Sequence, residues 1–196
     1  MEKTIIEYLN KAEKLKSTLR HNWTSTGRQE SSAEHTWRIA LFFIILQEIY
    51  HLDVDPYKML KMIIIHDLPE ITSGDIAGWM KDVDPEKHKT HKELEQKNAK
   101  NVFSGLPEKL SEELFSLFEE FESSSSKEGK LGKALDRIES QLQHLEAGEH
   151  TWSKEEKGEH MLNYPEEALK NLGNENISNI WKIIRKDIEK ITYQNS

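Results

Sequence analysis

The chain has no cysteine among its 196 residues. That absence removes disulfides, thiolate zinc sites and cysteine nucleophiles together, and it leaves histidine and carboxylate as the side chains suited to hold a metal. Positive charge is also in deficit: 27 Lys and Arg stand against 35 Asp and Glu, a net charge of −8. A nucleic-acid polymer is therefore not an expected partner, because binding a phosphate backbone needs clustered cations to displace counterions. A small anionic ligand stays compatible with this charge. Long hydrophobic runs are missing too. The stretch from Ile39 to Leu46 is far shorter than the roughly 20 residues that span a bilayer, so no membrane partner is expected. The opening MEKTIIEYLN is amphipathic and lacks the basic start, apolar core and cleavage site of a signal peptide. The cytoplasm is the expected compartment.

What the sequence does hold is helical periodicity. Charged residues make up 32% and hydrophobic residues 36%, with sixteen aromatics along the chain, which suits one all-α globular domain over residues 1–196. Ile5, Ile6, Leu9, Ala12 and Leu15 mark the apolar face of a first helix. A polar segment follows from Arg20 to Glu30. Ser31 with Glu34 three residues later is a capping-box signature that starts a second helix and puts His35 in its first turns. From Ile39 to Leu46 this helix is apolar on nearly every side, as a helix surrounded by others would be. Asp55 and Pro56 start a third, running to Ile65. A charged helix is expected from about Glu86 to Phe103 and another after Pro107. The serines at 123–126 read as a surface loop. Leu131, Leu135, Ile138, Leu142 and Leu145 form a buried stripe, and two last helices are expected near Lys154 to Leu172 and Ile177 to Tyr193. No useful strand alternation is visible. Glu-His-Thr-Trp occurs at 34–37 and 149–152, but the flanks differ and no repeat is inferred.

Three places could carry metal chemistry. The pair His66-Asp67 ends the apolar run Ile63, Ile64, Ile65; an ionised carboxylate buried there is expensive unless a cation or hydrogen bonds compensate. The same pair also fits a helix C-terminal cap followed by a turn cap, and spacing does not separate the two. His35, on a neighbouring helix, is either a third ligand or a hydrogen-bonded core histidine. Asp136 falls off the leucine stripe at 100° per residue, so the pattern places it on a solvated face.

The residues resemble those of the HD-domain metal-dependent phosphohydrolases, whose signature is a His, then His-Asp, then a distant Asp. The segment Arg28-Gln-Glu-Ser-Ser-Ala-Glu-His35-Thr-Trp looks like the first histidine helix. Ile65-His66-Asp67-Leu-Pro-Glu70-Ile-Thr-Ser-Gly-Asp75 looks like the His-Asp segment, and Ala134-Leu-Asp136-Arg-Ile-Glu like the final aspartate helix. More narrowly, the arrangement is similar to the subgroup of the 5′-deoxynucleotidases, over about residues 8–150.

This resemblance implies that His35, His66, Asp67 and Asp136 ligate one divalent cation (Mn, Co, Fe, Zn or Mg) inside a helical bundle. The helix carrying Asp136 must then be buried on two sides. It implies that Glu70 and Asp75 manage protons beside the cation, and that Arg20, at the end of the first helix, grips a phosphate with its planar fork. His21, Asn22 and Trp23 depart from the deoxynucleotidase pattern; Trp23 is a candidate to stack on a base, while Trp37, Trp79, Trp152 and Trp181 read as core or interface. His88 and His91, in the charged run from Lys87 to Lys100, could attract stray metal. The expected activity is hydrolysis of a phosphomonoester on a small nucleotide, with a homodimer as the assembly. A nucleotide-binding regulatory module without turnover, or an enzyme acting on a diester or pyrophosphate, is the alternative.

Overall fold

The computed structural model describes residues 1–154, 156–157 and 162–194. Helix α1 (Glu2–Ala12) runs into a 3-10 turn (Glu13–Ser17), and a short antiparallel hairpin follows, β1 (Leu19–Trp23) with β2 (Gln29–Ser31). This hairpin lies within the polar segment, where no useful strand alternation is visible in the sequence. The period-2 alternation exists, but its inward side chains are Arg20 and Asn22, so it carries no hydrophobic signature.

Helix α2 (Ser32–Tyr50) begins at the capping box read from the sequence, with Ser31 accepting from the Glu34 backbone and Glu34 from that of Ser31. Asp55 caps α3 (Pro56–Ile65) through the amides of Tyr57 and Lys58. Two single-turn helices, α4 (Glu70–Ser73) and α5 (Met80–Val83), lead into α6 (Pro85–Phe103), whose N-cap is Asp84. Then come α7 (Glu108–Ser123) and α8 (Lys127–Ala147), the latter capped by Ser126. The serine stretch is thus a tight link between two helices. A 3-10 turn (Glu149–Thr151), α9 (Glu166–Leu172) and α10 (Glu175–Gln194) complete the order. The helix expected from Lys154 is not described there: residues 155 and 158–161 lie outside the described residues.

Two apolar clusters flank α3. Its Met59 and Ile63 join Ile39, Phe43, Leu131, Leu135, Ile138, Trp181 and Ile188, while Met62 and Ile65 join Phe103, Leu117, Phe118 and Phe121. Helix α8 packs against α2, α3, α7, α9, α10 and β1 and buries residues on more than its leucine stripe. That second buried side is what lets Asp136 face inward.

Helix α2 differs from its expectation. Ser32, His35, Thr36, Ile39, Phe43 and Leu46 are buried along one stripe, but Trp37, Leu41, Ile44, Ile45 and Ile49 are exposed. Ile5, Ile6 and Leu9 of α1 are exposed as well. No helix among the described residues is long and apolar enough to cross a membrane.

Candidate functional site

The site forms where β1, the start of α2, the turn after α3 and the middle of α8 meet. Apolar packing on both flanks of α3 fixes the turn at its C-terminus, and His66 takes its helical geometry there, with its backbone N–H bonded to Met62. The His66 ring donates from Nδ1 to the Ile63 carbonyl at 2.7 Å. A carbonyl only accepts, so that proton sits on Nδ1 and Nε2 of the neutral ring carries a lone pair. Nε2 lies 3.0 Å from Asp67 Oδ1. Neither His66 Nε2 nor Asp67 Oδ2 has a hydrogen-bond partner among the described residues. Two electron-rich groups held together out of water are costly unless a cation lies against both.

His35 and Asp136 close the group. His35 is fully buried, its Nε2 3.0 Å from Asp136 Oδ1 and 4.0 Å from Asp67 Oδ2. Its Nδ1 hydrogen-bonds the buried Glu139 carboxylate, an orienting contact of the kind that holds metal-ligating imidazoles. One ligand atom each from His35, His66 and Asp136 lies within 4.8 Å of the others. Bonds of about 2.1 Å place neighbouring ligands of one ion about 3–3.5 Å apart, so the spacing and the N/O donor set both suit a divalent cation. Burial opposes charge on His35, but Glu139 and the hydrogen bonds to Asp136 and Glu139 outweigh it and raise its pKa well above the usual imidazole range. Burial likewise opposes charge on Asp136, and the His35 hydrogen bond overcomes it, holding the carboxyl well below the usual range.

Around this group lies a cavity of about 300 Å³ lined by Arg20, Glu70, Asp75, Tyr164 and others. Arg20 is buried on β1 and surrounded by acid: its Nε is 3.4 Å from Glu30, and its Nη1 is 3.7 Å from Asp67 and 3.8 Å from Asp75. Its Nη2 donates to Ser140 Oγ at 3.1 Å. Glu70 accepts from Ser32 Oγ at 2.6 Å. Burial, then the charges of Asp67 and Asp75, push its pKa well above the usual carboxylate range. Asp75 goes the other way, because Arg20 and His21 overcome the cost of its burial and hold it low. Two carboxyls with environments pushing them apart are the usual basis for separate acid and base roles.

An HD domain model matches residues 12–181. The chain belongs to the HD domain family. This HD domain is 32% identical over 143 residues to 5′-deoxynucleotidase HDDC2 of Bos taurus, covering 72% of the chain and 66% of the bovine protein. It is also 32% identical over 143 residues to the Homo sapiens protein of that name, covering 67% of it. The chain thus spans about two thirds of the length of these relatives. A crystal structure from Magnetospirillum magnetotacticum, titled a predicted metal-dependent phosphohydrolase, superposes with a TM-score of 0.80. It covers 97% of this chain and 96% of that one at 24% identity, which establishes the shared helical fold.

The HD fold brings His35, His66, Asp67, Asp136, Arg20, Glu70 and Asp75 to one place. Arg20 reaches it from a strand and not from the end of a helix. Trp23 stands apart: it is half-buried, does not line the cavity, and its backbone carbonyl accepts from Gln143 Nε2 at 2.7 Å. Glu139, Glu30 and Ser32 were not singled out from the sequence. Only Glu139 carried a usable signal, since it follows Asp136 by three residues and so shares its helix face.

Proposed function

We propose that this HD domain is a divalent-metal-dependent phosphohydrolase acting on the phosphomonoester of small nucleotides, (deoxy)nucleoside 5′-monophosphates above all. The observation that carries it is that His66 Nε2 and Asp67 Oδ2 lack hydrogen-bond partners among the described residues and lie beside His35 and Asp136, with Arg20 against the same cavity. The 5′-deoxynucleotidase activity for which the bovine and human relatives are named supports the nucleotide substrate.

When bound, a divalent cation at His35, His66, Asp67 and Asp136 supplies Lewis-acid charge for the phosphoryl oxygens and makes water more acidic. The chain's own residues do the rest. Arg20 offers the phosphate a planar donor fork and is already held in place by Ser140 and by carboxylates on two sides. Glu70, pushed up, keeps a proton to give to the leaving oxygen; Asp75, held low, stays ionised and orients the attacking water. Their fixed positions lower the barrier chiefly by positioning and electrostatics.

Phosphate release from deoxynucleoside and ribonucleoside 5′-monophosphates, with Mn, Co, Fe, Zn or Mg supplied in turn, tests the assignment and names the preferred ion. Release with at least one ion is expected; none with any of them rejects the proposal. Glu70→Ala should abolish turnover while leaving nucleotide affinity largely intact.

We also propose that residues 1–196 form one HD unit, acting in the cytoplasm, and that two copies pair through the exposed α2 face carrying Trp37, Leu41, Ile44, Ile45 and Ile49. An exposed apolar face of this kind favours association. Light scattering should give twice the chain mass of 22.9 kDa, and Ile45→Asp should give the single mass.

A further inference from the structure

A second group of ligand-type side chains lies in the same cavity, outside the four residues above. His21 sits on β1, His144 in the last turn of α8, and Glu156 in the segment beyond it. One ligand atom from each lies within 4.8 Å of the others. Glu156 Oε1 is 3.3 Å from His21 Nε2 and 3.6 Å from His144 Nε2, and the two imidazole centroids are 5.4 Å apart. We propose that His21, His144 and Glu156 form a second cation site, suited to a borderline divalent ion such as Zn²⁺, Co²⁺ or Ni²⁺.

The argument rests on how these atoms are aimed. His21 Nδ1 lies 3.3 Å from Asp75 Oδ2; a proton donated there leaves Nε2 with its lone pair toward Glu156. A carboxylate behind an imidazole is also the contact that orients a metal-binding histidine and raises its basicity. Glu156 divides its oxygens in the same way. Its Oε2 accepts from the Ser153 backbone at 2.6 Å, which turns Oε1 toward the two rings. The Trp152 indole donates to the His144 carbonyl at 2.9 Å and ties the following segment to that turn of α8.

Separations of 3.3 and 3.6 Å are long for a charge-assisted hydrogen bond, which closes to about 2.7–2.9 Å. They match the roughly 3.4 Å between neighbouring ligands of a tetrahedral ion with bonds near 2.1 Å. His144 and Glu156 are almost fully buried, while His21 is partly exposed. Two nitrogens and one oxygen suit a borderline ion better than Mg²⁺ or Ca²⁺. Three protein ligands leave a fourth position for water or an anionic oxygen, and all three line the cavity that also holds Arg20 and Asp67. This site does not depend on the proposed hydrolysis, because none of its ligands belongs to the first group.

The test is a metal count on the metal-stripped 196-residue chain dialysed against Co²⁺, with visible absorption as a second readout. Wild type should bind two equivalents. Asp136→Ala should keep one, with the absorption of a low-coordinate Co²⁺ site, and adding His144→Gln or Glu156→Gln to that variant should remove both the ion and the band. His91→Gln, a control for the histidines of α6, should leave the count at two. A second equivalent that survives both His144→Gln and Glu156→Gln, or one that disappears with His91→Gln, overturns the proposal. A single equivalent lost in Asp136→Ala also overturns it while leaving the first centre standing. Circular dichroism of each variant separates a lost ligand from a lost fold.

Discussion

His66 Nε2 faces Asp67 Oδ1 at 3.0 Å while the only ring proton a carbonyl can draw on is spent on Ile63. The relationship is built by the chain trace. The apolar run of α3 ends at Ile65, the next backbone amide still bonds to Met62, and the two polar side chains emerge on the buried side of the turn. Arg20 offsets part of their mutual cost from one side of Asp67, and a cation between the two groups would offset the rest.

Glu139 holds His35 from behind, so its removal should loosen the centre without touching a ligand. Glu139→Gln is expected to weaken Mn²⁺ binding about 10–100-fold, read by calorimetric titration. An unchanged affinity would show that His35 needs no such support.

Much of this centre is spelled out along the chain, but the reasons for its assembly are not. The capping box at Ser31 and the Asp55-Pro56 start are local features, and the structure forms both. Asp136 sits off the leucine stripe, and only a helix buried on two sides turns it inward; periodicity alone describes one face at a time. The hairpin leaves no strand signature in the sequence because Arg20 and Asn22 point inward in place of apolar residues. On α2, uniform apolarity reads as full burial, yet Trp37, Ile44, Ile45 and Ile49 are exposed. Glu30 and Ser32 gave no signal, since their roles come from contacts with Arg20 on β1 and Glu70 on α4.

The carboxyl of Glu70 should matter to turnover more than to folding. Glu70→Gln keeps the shape and the Ser32 contact but has no proton to exchange at that oxygen. A fall in kcat of about 10²–10⁴-fold is expected, with nucleotide affinity within a few-fold of wild type; an unimpaired kcat would remove Glu70 from the chemistry.

Gly132 on α8 lets the Phe121 ring approach the helix closely, and a Cβ there would run into that ring. Phe121 in turn packs at a tilt against His66, with ring centroids 4.7 Å apart. Gly132→Ala should therefore destabilise the fold by about 1–3 kcal/mol through overpacking and weaken metal binding as well. A thermal melt and a metal titration read the two effects; an unchanged or raised melting temperature would contradict the close packing.

Glu122 joins α7 to α6 and α8 through Lys92 at 3.0 Å and Lys133 at 2.5 Å. Burial disfavours its charge, but Lys133 and Lys92 overcome that and hold its pKa at about 2, below the ordinary 4.5. A depressed carboxyl contributes stability above its unfolded pKa and loses it as pH falls through its folded one. Glu122→Gln should thus cost about 2 kcal/mol near neutral pH, and the gap to wild type should close between pH 4.5 and about 2. Urea melts across that range measure it; a gap independent of pH would assign the effect to packing.

The most direct measurement is anomalous diffraction from a crystal grown with Mn²⁺. The account predicts a peak within about 2.0–2.3 Å of the nearest nitrogens of His35 and His66 and of carboxylate oxygens of Asp67 and Asp136. A peak that leaves Asp136 uncoordinated, or no peak between these four side chains, would contradict it.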